Sequence, residues 1–548
     1  MTIKHKVSYL IFCLLCQYHV MSKDYYVHPK LGRDTNTGTS KVHALKTLER
    51  ASQIKLRPGD RLLLAYGERY KGSLEIINIQ GTVNMPIIIK SIPWDALADS
   101  TPAIIDFKSK PNGIYIEGCS FLNISNIYLT GNGFDTNTYS NFNMRCGILM
   151  VNSRESKTAH INLSELKVFD VFYENEGFTR DKNEVRTANG TQKYGWGIRV
   201  ISKAKESTIQ DIDITNCKVE NVSHTGIKLT GSNKNISNIN ISGNTIKSTG
   251  GPGIQMSEVK DVHVWNNTVT YSGSNDDSRK WGRGSGLWTW GSSKVLIERN
   301  KFLYANGPGD SAGAHIDFNC DNIVLQYNIS AYNAGGFVEI LGNNYNCSYR
   351  YNVSINDGHR IKGIDGAFQE GKILWLSGYQ GNKKKRKGPV NSYIYNNTIY
   401  SDSTIVSKIA IDKTCNGILI ANNIFYLKGE SKAVLGDQYK PETKNGEPIK
   451  NVVFQNNLFL DENSWPKKVG IQDSNPIFGN PIFENYGSLN VESYMPKNTD
   501  LVKGQGINIQ LLANDKEGLL QSLKLEKDIM GNPVYGQPSL GAIEPIKN

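Results

Sequence analysis

An internal repeat in the middle of the chain constrains the fold more than any other feature. Its first part is a glycine followed by a short alternating strand, as in WGIRVIS, TGIKLTG, PGIQMSE and SGLWTWG. Six of these glycines are separated by 29, 27, 33, 27 and 22 residues, at Gly197, Gly226, Gly253, Gly286, Gly313 and Gly335. A shortest period near 22 residues that tolerates insertions is typical of one coil of a parallel β-helix, in which strands stack about 4.8 Å apart.

An asparagine after a strand is the second part of the repeat. It recurs at Asn244, Asn267, Asn300, Asn328, Asn352, Asn397, Asn423 and Asn457. Asparagine tolerates the left-handed bend between strands, and stacked amides can hydrogen-bond along the axis. The 52 Gly and 57 Asn among 548 residues agree with many bends. A leucine-rich repeat lacks its Leu pattern here, and a propeller needs a period of about 40 or more. The sequence therefore predicts an all-β, right-handed parallel β-helix.

The two ends of the chain predict a leader and two caps. Lys4 and Lys6 precede the apolar run VSYLIFCLLC, which is too short to span a membrane, so residues 1–22 are interpreted as a signal peptide. Secretion or a periplasmic location follows, and lipid attachment at Cys16 is the less favoured alternative. The β-helix domain is predicted over 23–474, with a capping helix over His43–Leu56, and 475–548 as a capping segment packed on that domain. No transmembrane segment is expected, and we expect a monomer.

Six cysteines follow the leader, at Cys119, Cys146, Cys217, Cys320, Cys347 and Cys415. None has the C-x-x-C spacing of a zinc site. They are predicted to be small buried residues of stacked strands, with a Cys320–Cys347 disulfide as the alternative.

Three segments carry a resemblance to a known group of proteins. They are YYVHPKLGRDTNTGTSKVHALKTLERA, PGDRLLLAYGERYKGSLEI and, near the end, DIMGNPVYGQPSLGAIEP. Together they resemble secreted bacterial right-handed β-helix proteins that act on carbohydrates, including polysaccharide lyases and some glycoside hydrolases. The resemblance covers nearly the whole chain after the leader. Because the shared motifs are structural, it implies a fold and a carbohydrate substrate, and it leaves the reaction open.

Counting from the repeat glycines predicts which side chains face outward. Residues one and three after each glycine should point inward, and residues two and four should point outward. The second-position column is Leu149, Arg199, Lys228, Gln255, Trp288, His315, Phe337 and Arg360. The fourth-position column is Val151, Ile201, Thr230, Ser257, Trp290, Asp317, Glu339 and Lys362. Cations, tryptophans and acids on one outer face predict a glycan site walled by the insertions at 153–195 and 272–284; ordinary outer-strand decoration is the alternative.

The leading hypothesis for this face is β-elimination at a uronic acid. Arg199 and Arg360 are candidates to neutralise the carboxylate, and Lys228, His315 and His224 are candidate bases. The leaving group is the next sugar in a lyase, or water at a terminal uronate in a dehydratase. A net charge of +11, or +9 without the leader, favours an acidic polysaccharide or oligosaccharide.

Sugar contacts are predicted for a further set of side chains. The tryptophans should stack on sugar rings. The full set of predicted substrate-binding residues is Trp288, Trp290, Gln255, Arg360 and His224.

The alternative chemistry is glycoside hydrolysis by two carboxylates. Asp317 and Glu339 are 22 residues apart, so as fourth-position neighbours they would lie about 5 Å apart, in the range of a retaining enzyme. Adjacent acids could instead bind Ca²⁺, which is the one cofactor considered.

Asp310 is predicted to be a turn former because it follows Gly309.

A carbohydrate-binding protein without catalysis is the third hypothesis. The poised acids and bases argue against it, because binding alone does not need them. A nucleic-acid partner is not predicted, since the one dense basic cluster, Lys383–Lys387, reads as a solvated loop tip.

Overall fold

The computed structural model describes residues 22–545 apart from 96–99, 109, 135–143, 153–155, 182, 187–190, 192, 274–276, 435–448, 450, 463 and 466–471. The predicted leader lies outside the described residues except for Ser22. No helix of the described chain is long and apolar enough to cross a membrane.

The described strands form three long sheets, and each complete coil contributes one strand to each sheet in the order 1, 2, 3. Sheet 1 has 14 strands: Asp24–Val27, Arg61–Ala65, Ile87–Ile92, Ser120–Ser125, Lys157–Ser164, Thr208–Thr215, Ile236–Ser242, Val259–Trp265, Ser293–Glu298, Asp321–Gln326, Ser348–Arg350, Val390–Tyr395, Asn416–Ala421 and Val452–Gln455. Sheet 2 has 14 strands: Arg69–Lys71, Ala103–Asp106, Ile127–Asn132, Lys167–Phe172, Lys218–Val222, Thr245–Thr249, Thr268–Ser272, Lys301–Leu303, Ile329–Ala331, Val353–Ile355, Thr398–Ser401, Ile424–Leu427, Leu458–Phe459 and Ile477–Phe478. Sheet 3 has 12 strands: Leu74–Ile77, Asn112–Glu117, Arg145–Asn152, Gly195–Ser202, Ile227–Thr230, Ile254–Ser257, Leu287–Trp290, Ala314–Ile316, Gly336–Ile340, Lys372–Leu376, Ser407–Ile411 and Ser431–Ala433. Neighbouring strands pair in parallel, as a coiled solenoid requires.

The core is a column of aliphatic side chains between the three sheets. The positions predicted to face inward, such as Ile198, Val200, Ile227 and Leu229, are 0% exposed. They belong to one continuous cluster that runs the length of the coils. The alternation of strand side chains therefore places the core where the repeat predicts it.

An asparagine ladder stabilises the bend between sheets 1 and 2. The backbone N–H and the Nδ2 of Asn244 donate to Oδ1 of Asn267 at 3.0 and 2.9 Å. The same pair of bonds recurs at each later step of the ladder up to Asn457. The residue before each ladder asparagine adopts the left-handed conformation, as at Asn266 and Tyr327, so this bend lies one residue earlier than the sequence predicts.

The N-terminal cap contains a shorter helix than the sequence predicts. The helix spans Leu48–Ser52 rather than 43–56, because Leu45 first pairs with Val27 of the opening strand. Thr47 then caps the helix by accepting a bond from the Arg50 backbone N–H at 3.1 Å. Leu48 and Ala51 are buried against the core.

The C-terminal segment packs along the outside of the coils. It holds a 3₁₀ turn at Val491–Tyr494 and a short helix at Thr499–Val502, and a second 3₁₀ turn, Glu184–Arg186, lies in the long loop before sheet 3. Its buried apolar side chains form a second cluster with tyrosines of sheets 1 and 2. The C-terminal cluster does not include the outer face of sheet 3, against which the loops between sheets 2 and 3 pack.

The six cysteines of the described chain are buried. This matches their prediction as small buried residues, and the alternative Cys320–Cys347 disulfide is not formed.

Candidate functional site

The outer face of sheet 3 carries a column of polar and aromatic side chains. Arg199 pairs in register with Lys228, Lys228 with Gln255, Gln255 with Trp288, and Trp288 with His315. These five residues stand one coil apart each, as counting from the glycines predicts. Loops between sheets 2 and 3 cover this face, and all of the column except Lys228 is less than a tenth exposed.

The predicted alignment of Glu339 with Asp317 is wrong. Ile316 pairs with Ile340, so Glu339 lies in register with His315, one coil away. The coil is 24 residues long and not 22, because the strand begins at Gly336 and its Gly335 neighbour belongs to the preceding bend. A shift of two residues keeps the same face of a strand, so Glu339 still points outward. Phe337, placed on the outer face by the count, packs in the core cluster.

Arg360 is also misplaced by the count from Gly358. It lies in the loop between sheets 2 and 3, where its Nε donates to Gln369 O at 2.8 Å and its Nη1 to Gly307 O at 2.9 Å. The strand of this coil is Lys372–Leu376, and Trp375 pairs with Glu339. The glycine signature fails here because Gly358 forms a turn, with φ +76°, and does not start a strand.

Asp310 forms a bidentate ion pair with Arg283 beside the column. Arg283 Nε donates to Asp310 Oδ2 at 2.7 Å and Nη2 donates to Oδ1 at 3.0 Å. Burial acts to raise the pKa of Asp310, but the Arg283 guanidinium outweighs it and holds this pKa below its ordinary value. Asp310 is therefore an ionised carboxylate at neutral pH.

Asp317 lies seven residues later in the same coil and has the opposite protonation state. Its Oδ2 accepts a 2.7 Å bond from Trp288 Nε1, and its Oδ1 accepts a 2.8 Å bond from the Phe318 N–H. Burial raises the pKa of Asp317 to about 7 against these two bonds, and the negative charge of Asp310 adds to the rise. Asp317 thus retains its proton through the acidic range.

Glu339 and His315 complete the acidic end of the site. The two side chains approach to 4.0 Å, and His315 Nδ1 is also 2.9 Å from Ser285 Oγ. Burial lowers the pKa of His315 to about 4, so the imidazole is neutral. Burial and Asp310 raise the pKa of Glu339. We call this group the carboxylate cluster; it consists of Asp310, Asp317, Glu339 and His315.

Asp310 and Arg283 are residues of the candidate site that the sequence analysis did not place there. Asp310 follows a Gly-Pro-Gly stretch, and it does adopt a left-handed conformation, with φ +47°, as does Ser311, with φ +64°. Its ion pair becomes visible only in the folded chain, where the loop brings Arg283 against it. Consecutive left-handed residues other than glycine cost conformational energy and concentrate at functional sites.

The other end of the column is a cation–aromatic cluster, formed by Arg199, Lys228, Trp196, His224 and Trp281. The Arg199 guanidinium lies 4.0 Å and the Lys228 ammonium 5.0 Å from the Trp196 ring centre. His224 is stacked between Trp196 and Trp281, with ring centres 3.9 and 4.4 Å away. Burial, followed by the Lys228 and Arg199 charges, lowers the pKa of His224 well below its ordinary value, so it is neutral. Burial and then Arg199 lower the pKa of Lys228 to about 7.

The remaining predicted contacts lie between and beside the two clusters. Gln255 accepts a 3.4 Å bond from Thr225 Oγ1 midway along the column. Trp290 is half-buried and makes an edge-on contact with Phe318, at 5.9 Å between ring centres. A cleft of about 590 Å³ opens against the loop that leads to Asp310, and Pro308, Arg360 and Ile364 are among its lining residues.

Among the described residues, no group of three or more His, Cys, Asp or Glu side chains is arranged to hold a metal ion. Calcium binding therefore stays a prediction from the sequence.

The chain is similar to known proteins along its length. The family described as "Right handed beta helix region" matches residues 196–382, which include both clusters. A lacto-N-biosidase of Bifidobacterium longum subsp. longum is 22% identical over 95% of this chain, and the chain spans 36% of that relative's length. Thus the chain spans about a third of the curated relative that it matches.

Two solved structures are also similar to the chain. A GH136 lacto-N-biosidase from Eubacterium ramulus superposes with a TM-score of 0.53 at 19% identity, covering 75% of this chain and 68% of that chain. A PL6 family alginate lyase, AlyGC, has a TM-score of 0.47 at 14% identity over 78% of this chain and 52% of its own. The matching family model and the three long parallel sheets confirm the right-handed parallel β-helix predicted from the sequence.

Proposed function

We infer that this protein is a carbohydrate-degrading enzyme and that it hydrolyses a glycosidic bond at Asp310 and Asp317. The observation that carries this proposal is the opposite protonation of two carboxylates seven residues apart. Arg283 keeps Asp310 ionised, whereas burial keeps Asp317 protonated up to a pH of about 7. Glycosidases need one carboxylic acid and one carboxylate at the scissile bond, and environments that separate two pKa values assign these roles.

The chemistry then divides between the two aspartates. Asp317 donates its proton to the glycosidic oxygen as the bond from that oxygen to the anomeric carbon breaks. Asp310 either attacks the anomeric carbon, with water later releasing the sugar, or removes a proton from the attacking water. Retention or inversion of the anomeric configuration in the product, read by NMR, distinguishes these two routes.

The similar proteins support the carbohydrate class. Both lacto-N-biosidases described above carry the name of a glycan-acting enzyme, and the GH136 designation is that of a glycoside hydrolase. Trp290 is half-buried on the outer face of sheet 3 and offers a ring on which a sugar can stack.

β-Elimination at a uronate is the second candidate, and one observation favours it. A lysine whose pKa is lowered to about 7 is a competent general base at neutral pH, and Lys228 has this property beside Arg199. Under this mechanism Arg199 neutralises the uronate carboxylate and Lys228 removes the C5 proton. The leaving group is then a sugar, as in a lyase, or water, as in a dehydratase.

Products and four variants distinguish the two reactions. Oligosaccharides labelled at the reducing end are incubated with the wild type and with Asp310→Asn, Asp317→Asn, Lys228→Met and the exposed control Asp213→Asn. Hydrolysis predicts saturated products with one oxygen from labelled water, lost by about 10²–10⁴-fold in both site aspartate variants. Unsaturated products with ultraviolet absorbance, lost in Lys228→Met while Asp317→Asn stays active, would establish elimination.

A further inference from the structure

A run of consecutive cations, Lys383–Lys387, has no part in the chemistry proposed above. It lies in the loop that connects the sheet 3 strand Lys372–Leu376 to the sheet 1 strand Val390–Tyr395. Its first three lysines are exposed, as the sequence predicts for a loop tip. We call Lys383–Lys387 the basic loop. It presents its cations at the edge where the chain passes from sheet 3 to sheet 1.

The base of the basic loop is fixed against the preceding coil. The Gly342 N–H of that coil donates to Tyr379 O at 2.8 Å. A β-carbon on Gly342 would lie 2.4 Å from the same oxygen, so a glycine is needed for the loop to pack this closely. Arg386 Nε donates to Oδ2 of the fully buried Asp412 at 2.7 Å. The loop therefore has a defined position relative to the outer face of sheet 3.

The charge of the basic loop is only partly compensated. Asp412 forms an ion pair with Arg386. In the part of the chain that the structure describes, Lys383, Lys384 and Lys385 form no ion pair with a carboxylate. Neighbouring exposed cations of one sign attract anions over about one Debye length, which is about 8 Å at physiological ionic strength. The loop tip is therefore suited to a ligand that carries several negative charges.

Three half-buried aromatic rings lie beside the basic loop. Trp290 meets Phe318 edge-on at 5.9 Å between ring centres, and Phe318 meets Tyr379 edge-on at 5.7 Å. We call these three residues the aromatic row. A β-carbon on Gly381 would lie 4.0 Å from the Phe318 ring and 3.9 Å from Cδ of Lys384. The row and the lysines of the loop therefore border the same stretch of backbone.

The aromatic row also borders the carboxylate cluster. The Phe318 N–H donates to Asp317 Oδ1 at 2.8 Å. Burial and then the Asp317 charge raise the pKa of Tyr379, and the Arg283 charge acts in the opposite direction, so Tyr379 lies within the field of both groups. Half-buried rings keep part of their surface open for stacking on sugars. A glycan with one bond at Asp317 can therefore continue over the row towards the basic loop.

We propose that the aromatic row and the basic loop bind a polysaccharide with repeated negative charges, carboxylates or sulfates, next to the bond that is cleaved at Asp317. The rings contact the apolar faces of the sugars, and the lysines bind the acidic groups. Only the position of the cleaved bond rests on the proposed hydrolysis. We favour a polysaccharide over a nucleic acid because the carboxylates beside the row suit the cleavage of a glycosidic bond.

Two triple variants of equal net charge test this surface. The loop variant carries Lys383→Gln, Lys384→Gln and Lys385→Gln. The control variant carries Lys516→Gln, Lys524→Gln and Lys527→Gln, three exposed lysines of the C-terminal segment that packs on sheets 1 and 2. Because both variants lose three positive charges, a difference in binding reports where the charge lies and not its total.

Binding is measured with polygalacturonate, which bears carboxylates, with dextran sulfate, which bears sulfates, and with neutral dextran. The wild type should bind one or both charged polymers at least about tenfold more tightly than dextran. The loop variant should lose about tenfold in this affinity at low salt, and the control variant less than about twofold. This difference should vanish near 1 M salt, where the Debye length is about 3 Å. Trp290→Ala should weaken binding at every salt concentration, since stacking is not screened.

Several outcomes would overturn the surface. They are equal binding of the charged polymers by the loop and control variants, equal affinity of the wild type for dextran and the charged polymers, and tighter binding of a single-stranded DNA oligonucleotide than of either charged polymer. Loop-dependent binding together with cleavage by Asp317→Asn would keep the surface and refute the proposed hydrolysis. An inactive Asp317→Asn together with a loop variant that binds like the control would keep the hydrolysis and refute the surface.

Discussion

Each carboxylate of the site owes its protonation state to a neighbour that is distant in sequence. Asp310 stays ionised because Arg283, 27 positions earlier, donates two hydrogen bonds to it. Asp317 stays protonated because the loops of several coils remove water from it. The chemistry of the site therefore depends on single side chains. Asp310 and Asp317 have ordinary pKa values until folding brings their neighbours against them.

The pH dependence of turnover has opposite signs under the two mechanisms. Hydrolysis needs Asp317 protonated, so kcat/KM should fall as the pH rises through about 7. Elimination needs Lys228 deprotonated, so kcat/KM should instead rise through about 7. Initial rates between about pH 4 and 9 at constant ionic strength decide this, and a rising limb near pH 7 would contradict hydrolysis by Asp317.

Arg283 is expected to control the acidic limb of the same profile. Arg283→Met leaves Asp310 buried without its cation, so the pKa of Asp310 should rise and the acidic limb should move to higher pH. We expect kcat/KM to fall by at least about tenfold at pH 5. Arg283→Lys keeps the charge but loses the bidentate geometry. Its kcat/KM at pH 5 should therefore lie between those of the wild type and Arg283→Met. An unshifted acidic limb in Arg283→Met would remove Asp310 from the mechanism.

At the scale of single elements, the asparagine ladder fixes the bend from sheet 1 to sheet 2. Asn300 is almost fully buried, accepts two bonds from Asn267 and donates to Val264 O, Glu298 O and Asn328 Oδ1. Asn300→Ala should lower the free energy of unfolding by about 1–3 kcal/mol, because buried backbone and amide groups lose their partners. Chemical denaturation measures this, with the exposed Asn508→Ala as control. Equal stability of the two variants would show that the ladder does not stabilise the fold.

A second ladder, after the strands of sheet 2, has an aspartate at Asp357, where an asparagine could accept the same hydrogen bonds. Asn333 donates to Asp357 Oδ1 through its N–H and its Nδ2, both at 2.9 Å, and Ser354 Oγ donates to Oδ2 at 2.7 Å. Burial raises the pKa of Asp357 to about 7, above its unfolded value near 3.9. The folded state therefore binds the extra proton, so stability falls as the pH rises from about 4 to 7.

Asp357→Asn should remove this loss of stability. Above a pH of about 7, we expect the variant to have a higher Tm than the wild type and a free energy of unfolding that is larger by roughly 1–3 kcal/mol. This difference in stability should close towards pH 4. Thermal unfolding at several pH values measures the difference. A gap that is independent of pH would mean that another group carries the effect.

For the whole molecule, the two long sides of the solenoid have different tasks. The C-terminal segment seals sheets 1 and 2, whereas the loops before sheet 3 build the site. Arg350 ties the segment down: it is fully buried, it donates to the Ser522 and Gln521 carbonyls, and its Nε bonds Gln326 Oε1 at 2.9 Å.

This division predicts that stability and activity can be separated. Arg350→Met should speed proteolysis around 511–525 and lower the Tm, because the segment loses its anchor and leaves polar groups buried without partners. Its kcat/KM below the unfolding transition should equal that of the wild type and of the exposed control Lys301→Met. A parallel loss of turnover would show that the segment supports the site.

The fold was predictable because it depends on local alternation repeated many times. Inward aliphatics such as Ile227 and Leu229 recur from coil to coil, and the ladder asparagines recur from Asn244 to Asn457, so errors in single coils do not alter the architecture. Even the two-residue error at Glu339 preserved its outward direction, since strand side chains alternate with a period of two.

The sequence by itself determined the solenoid, its core and the polar column from Arg199 to His315. Only the tertiary structure decided which of those residues act together. Loop lengths between sheets 2 and 3 vary from coil to coil, and nothing local specifies how each loop closes. Their closure brought Arg283 to Asp310, stacked Trp281 on His224 and moved Arg360 off the column. Protonation states follow from burial and from such neighbours, so the functional site belongs to the folded chain.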